Sequence, residues 1–130
     1  MSKSVSYKPP ESLDECVIIL MAAIDTKIQG SPNSRILKDI AMGIAEFVQD
    51  FALVHPRYIT PYSTFIDDLG MDSLEVIDFS MYAEERFGLK ITDELAERFA
   101  FADPTGSNTL AEIGFQLYSR MPATGERVLN

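Results

Sequence analysis

One serine in the chain stands where a hydroxyl group could be given chemical work. It lies in the run Phe65-Ile66-Asp67-Asp68-Leu69-Gly70-Met71-Asp72-Ser73-Leu74. A glycine-containing turn leads into Asp72, and Glu75 follows Asp72 by three residues, the pattern of an acidic capping box. The pattern predicts a helix that begins here with Ser73 in its first turn. A hydroxyl at that place lies beside unpaired backbone N–H groups and the positive end of the helix dipole. A phosphate ester on it would be stabilised, because helix starts favour anions. An ordinary helix-start serine has the same surroundings, so the local chemistry permits a phosphodiester without demanding one.

Other chemistries fit these residues less well. A serine hydrolase needs Gly-x-Ser-x-Gly on a strand-to-helix turn, whereas Gly70-Met71-Asp72-Ser73-Leu74 has no strand before it. The one histidine, His55, is the sole imidazole available as a base. Asp67, Asp68 and Asp72 lack the alternate spacing of a calcium loop, and the closing Glu is missing. Cys16 is the one cysteine, so neither an internal disulfide nor a cysteine zinc site is expected.

The elements that must position Ser73 read as helices. Leu13, Val17, Leu20 or Met21, Ile24 and Ile28 recur at helical spacing and predict a helix over 12–29. Gly30 and Pro32 end it. A second helix is expected over 35–53, with Ile36, Leu37, Ile40, Ile44, Phe47, Val48 and Phe51 on its apolar face. Residues 54–65, punctuated by Pro56 and Pro61, read as a loop. The Ser73 helix runs from 72 to Phe87, and Gly88 suits its left-handed close. A short helix over 93–100, a turn over 103–108 and a last helix over 109–121 complete the chain, between a loose arm (1–10) and a frayed tail after Pro122. The fold class is all-α, a small antiparallel bundle with one long loop.

Charge is concentrated around the same serine. The 130 residues carry 20 acids and 11 bases, a net charge of −9. Ten of the acids and only Arg86, Lys90 and Arg98 lie in residues 65–100. The balance argues against nucleic acid and anionic membrane surfaces as partners. No apolar run is long enough to span a membrane, and the N-terminus lacks the charge pattern of a secretory or mitochondrial leader. A cytoplasmic protein is expected. By composition alone the acidic segment is either a solvated face or a docking surface for a basic partner.

The run around Ser73 resembles the signature of acyl carrier proteins and related carrier domains that bear 4′-phosphopantetheine. The likeness continues through Glu84-Glu85-Arg86-Phe87-Gly88-Leu89-Lys90-Ile91 and Asp93-Glu94-Leu95-Ala96-Glu97. It implies a four-helix carrier bundle with a long first loop, here with an extra N-terminal helix. It implies that Ser73 is the attachment point for 4′-phosphopantetheine, transferred from coenzyme A by a phosphopantetheinyl transferase, with Asp72 in support. An acyl group would then ride as a thioester on the cofactor's thiol, so the protein is a carrier and not an enzyme. Leu74, Glu75, Asp78, Met81, Glu84 and Glu85 would meet partners with basic patches, namely acyl-transferring, condensing or ligase enzymes. Of the two apolar stripes on this helix, Val76, Ala83 and Phe87 would face inward, Leu74 and Met81 outward, and Ile77 at the border.

The sequence also departs from the family pattern. A discrete carrier would start near Arg35, which leaves 1–34 as an extension, 35–121 as the carrier domain and 122–130 as a tail. The helix over 12–29 either packs on the bundle, forms a homodimer or docks on a dedicated enzyme. The connection over 101–108 is lengthened, Phe99, Phe101 and Phe115 bear on the shape of an acyl pocket, and Thr92 stands where the family often has Pro. Ile66 to Gly70, Lys90-Ile91 and the last loop resemble specialised carriers for very long chains in outer-membrane lipid synthesis. Fatty acid, specialised lipid and polyketide synthesis all remain open as settings. So do an aminoacyl or peptidyl carrier and an unmodified interaction protein that uses the acidic helix for docking.

Overall fold

A computed structural model of the chain describes residues 8–101 and 108–121. The expected arm up to residue 7, most of the 103–108 turn and the tail after Met121 lie outside the described residues. Five α-helices are present among those described: α1 (Leu13–Asp25), α2 (Ser34–Ala52), α3 (Ser73–Phe87), α4 (Asp93–Ala100) and α5 (Leu110–Arg120). A short 3-10 turn, Pro56–Tyr58, interrupts the long loop after α2. The all-α expectation is met.

Each helix starts on a side chain that accepts a backbone N–H, as Ser, Thr, Asn and Asp do at helix starts. Ser12 caps α1, Asn33 caps α2, Asp72 caps α3, Thr92 caps α4 and Thr109 caps α5. Thr92 thereby has a local reason to stand where the family often has Pro: its hydroxyl accepts from the Leu95 N–H at 3.1 Å. The first helix is shorter than its apolar pattern suggests. The Thr26 hydroxyl donates to the Ala23 carbonyl at 2.7 Å, and Lys27 and Ile28 bond back only three residues. The helix therefore unwinds before Ile28, which still packs against the core.

Helices α1, α2 and α5 pack together, α3 leans on α2, and α4 on α3. Of the alternatives for the N-terminal helix, the structure shows packing on the bundle. Cys16, Val17, Leu20 and Ile24 are buried in one core with residues of α2 and α5. Gly114 makes this possible, since a side chain there would run into Ile24. Phe51, expected on the core face of α2, is instead 42% exposed and stacks on Phe47 with ring centroids 4.1 Å apart. The core beneath the site is aromatic: Phe79 meets Phe47, Phe65 and Phe99, all at centroid distances of 4.9–5.9 Å.

The Cys16 thiol is buried, donates to the Pro56 carbonyl at 3.3 Å, and has its pKa pushed up to about 11 by burial, with Glu15 adding to the effect. A thiol pKa raised by folding stabilises the native state fully below its ordinary value of 9.0 and loses that contribution as pH rises toward about 11. Alkylation of Cys16 at pH 8 should follow global unfolding; rapid labelling of the native protein would show that α1 opens independently.

Candidate functional site

The long loop delivers the chain to Ser73 in a fixed direction. Ile59, Phe65, Leu69 and Met71 are buried and anchor it. Asp68 accepts from both the backbone N–H and the hydroxyl of Thr64, at 2.8 and 3.1 Å. The loop is tied to the start of α5 by Leu110 N–H to the Ser63 carbonyl and Ala111 N–H to the Pro61 carbonyl. Gly70 then turns the chain at φ 73°, a conformation in which a side chain is strained. Met71 N–H closes the turn on the Phe65 carbonyl at 2.9 Å, and Asp72 follows in extended conformation.

The capping box read from the sequence is present. Asp72 accepts from the Glu75 N–H at 2.8 Å, and Glu75 accepts from the Asp72 N–H at 2.9 Å. Ser73 is the first residue of α3 and is exposed. Among the described residues its hydroxyl has no hydrogen-bond partner, and neither do the N–H groups of Ser73 and Leu74. Those free donors and the helix dipole give an ester phosphate on Ser73 a favourable setting.

From Ser73 a groove of about 560 Å³ opens between α3 and α4. Its α3 wall is Ser73, Ile77, Ser80, Met81 and Glu84. Ile91, Ala96, Ala100 and Phe101 line the opposite side, with Asp93, Glu94 and Glu97 on α4. An apolar-walled channel that begins at an exposed hydroxyl suits a long, flexible group attached there. The residues present therefore fit 4′-phosphopantetheine on Ser73.

The expected split of α3 is clear. Val76, Phe79, Ser80, Ala83 and Phe87 are buried, whereas Leu74, Ile77 and Met81 are 69%, 48% and 58% exposed. Asp78 and Glu85 are exposed. Glu84 is half-buried and accepts from the Ile91 N–H at 2.8 Å, so it also fixes the turn after α3. Arg86 faces away from the groove toward α2. Its guanidinium donates to Asp39 at 2.9 Å, to Glu46 at 3.1 Å and to the Tyr82 hydroxyl at 2.6 Å. These acceptors hold Arg86 firmly charged, which leaves the carboxylates along the groove unopposed by this base.

His55 accepts from the Arg57 N–H at 3.0 Å, capping the 3-10 turn, and lies outside the groove that starts at Ser73. Phe99 lies in the core, Phe101 is 56% exposed on the groove, and Phe115 packs at the edge of the core instead. Sequence reasoning did not single out Asp93, Glu94 and Glu97 as site residues, although their spacing places them close together on one short helix. It also passed over Ser80, a polar residue buried beside the inward stripe of α3.

A helix-start hydroxyl opening on a groove between two acidic helices is the arrangement of a carrier domain. In agreement, the family model described as "Phosphopantetheine attachment site" matches residues 44–104. The meromycolate extension acyl carrier protein of Mycobacterium leprae is 39% identical over 57 residues, covering 44% of this chain and 50% of that protein. The acyl carrier protein of Thermobifida fusca is 37% identical over 57 residues, 44% of this chain and 72% of the relative. Acyl carrier protein 2, mitochondrial, of Arabidopsis thaliana is 32% identical over 92 residues, 68% of this chain and 71% of the relative. No solved structure gives a significant match. The chain belongs to the acyl carrier protein family, whose cofactor is covalently attached 4′-phosphopantetheine. It spans about half the length of the meromycolate extension carriers it matches. No helix among the described residues is long and apolar enough to cross a membrane.

Proposed function

We propose that the chain is an acyl carrier modified on Ser73 by a phosphopantetheinyl transferase and working in fatty acid or specialised lipid synthesis in the cytoplasm. The carrying observation is that Ser73 begins α3 with an exposed hydroxyl and opens directly into the α3–α4 groove. When bound, the cofactor supplies a terminal thiol that takes an acyl group as a thioester. The chain's own residues set the stage. Asp72 and Glu75 fix the helix start, the loop from Ile59 to Met71 holds it in place, and the groove shelters what Ser73 carries. The carrier unit spans 35–121, and α1 of the 1–34 extension braces it.

Loading tests the reading. Transferase and an acyl-coenzyme A should add one acyl-phosphopantetheine to the protein, and neutral hydroxylamine should remove the acyl part alone. An acyl group that survives hydroxylamine would contradict a thioester cargo.

Partner enzymes with basic docking patches meet the face formed by Leu74 and Met81 between the carboxylates of Asp78, Glu84 and Glu85. Charge complementarity there sets encounter rate and orientation, and a flexible methionine suits several partners. Met81→Glu should weaken binding to a cognate partner roughly tenfold, about 1.4 kcal/mol, with an unchanged circular dichroism spectrum. Loss of helicity would place Met81 in the core instead. A homodimer through α1 has little apolar surface to use, because Ile18 is the one large apolar side chain of that helix that is mostly exposed.

A further inference from the structure

We propose that Ser80 is a positioning residue for the phosphopantetheine arm: its hydroxyl accepts a hydrogen bond from an arm amide lying in the α3–α4 groove. This rests on the carrier reading above. Ser80 is the one polar side chain among the buried residues of α3, 6% exposed beside Val76, Phe79, Ala83 and Phe87. Its hydroxyl donates to the Val76 carbonyl at 3.2 Å. That back-bond adds nothing the helix requires, and alanine would serve the helix better. Both acceptor positions of the oxygen remain without a donor among the described residues. The Val76 bond satisfies the donor and leaves the oxygen free to accept, and Ser80 lines the groove.

The position matches the chemistry of the arm. Ser80 follows Ser73 by seven residues, two helical turns, so both lie on one face and are separated by about 10 Å along the axis. A phosphopantetheine arm has two secondary amides between its phosphate and its thiol, each with an N–H to donate. A saturated acyl chain has no donor. Ile77, Met81, Ile91 and Ala96 beside it are apolar, Glu84 is engaged by the Ile91 N–H, and the other carboxylates of the groove, Asp93, Glu94 and Glu97, are on α4. Ser80 thus offers a buried acceptor two helical turns from Ser73, within reach of an arm amide.

The test reads the arm and not an enzyme rate. The protein is converted to its pantetheinylated form with coenzyme A labelled with ¹⁵N in the arm amides, and modification is confirmed by intact mass. Amide hydrogen exchange of the arm is then followed by NMR. One arm amide should exchange roughly tenfold more slowly than in free coenzyme A, the scale of one net hydrogen bond. Ser80→Ala should return it to within roughly twofold of the free rate, and Ser80→Thr, which keeps the hydroxyl, should retain protection. Melting of the apo variants controls for folding. Free exchange in the parent protein, or protection that survives Ser80→Ala, overturns the assignment. Protection of an arm amide that appears only once a 3-hydroxyacyl chain is loaded assigns the contact to the cargo and also overturns it. Failure to form any adduct would count against the carrier reading itself.

Discussion

Replacing Ser73 with alanine should abolish attachment of phosphopantetheine and leave the bundle standing. The two halves of that result have separate causes. In the proposed function the hydroxyl oxygen is the atom that forms the ester, and alanine has none to give. The fold does not depend on it, because the start of α3 is held by Asp72 and Glu75, whose reciprocal bonds are 2.8 and 2.9 Å long. Ser73 is exposed and its hydroxyl touches no described partner. Alanine is also the best helix former. Denaturant titration should therefore place the variant within about 0.5 kcal/mol of the parent, the usual range for a surface change. Persistent adduct on Ser73→Ala, located by peptide mapping, would move the attachment point to another residue.

Ile24→Ala should produce a large loss of stability through α1. Ile24 is fully buried, meets the bare backbone of Gly114 and lies near Ile44. Truncation removes its methyl groups from the junction of α1, α2 and α5, where a rigid glycine backbone cannot move in to fill the space. A buried Ile→Ala change of this kind costs roughly 2–5 kcal/mol, a large share of the stability of a domain this size. Ile18→Ala on the outward face of the same helix is the control, since Ile18 is 64% exposed. A fall in the urea midpoint for Ile24→Ala alone identifies α1 as part of the folded unit. Equal, negligible effects at both positions would make α1 a detachable arm.

Much of this structure can be read in advance because the signals are local. The capping box at Asp72 and Glu75, the left-handed close at Gly88 and the start of α4 all follow from a few neighbouring residues. Helical periodicity shows two apolar stripes on α3 competing for one core, and it is the family resemblance that puts Leu74 and Met81 on the exposed one. Tertiary placement is less legible. The apolar face of α1 says that a surface must cover it but not which one. The answer depends on Gly114, ninety residues on from Ile24, being small enough to admit that side chain. Arg86 reads as an opponent of its acidic neighbours, whereas its partners Asp39 and Glu46 are on another helix. Ser80 carries no local signal, because only the groove beside it gives a buried hydroxyl meaning.

The concentration of charge also has a structural form. α4 adds Asp93, Glu94 and Glu97 to the groove that Ser73 opens, and Arg86 is drawn to the opposite side of α3. The result is an exposed helix-start serine bordered by carboxylates, with exposed Leu74 and Met81 among them. In the proposed function, that combination would favour fast encounter with a basic partner and ready release.

The most direct test is to incubate the apo protein with coenzyme A and a broad-specificity phosphopantetheinyl transferase and to weigh it intact. The account predicts a mass gain of one phosphopantetheine, mapped to the peptide that contains Ser73. No gain, under conditions in which a control carrier is fully modified, would contradict it.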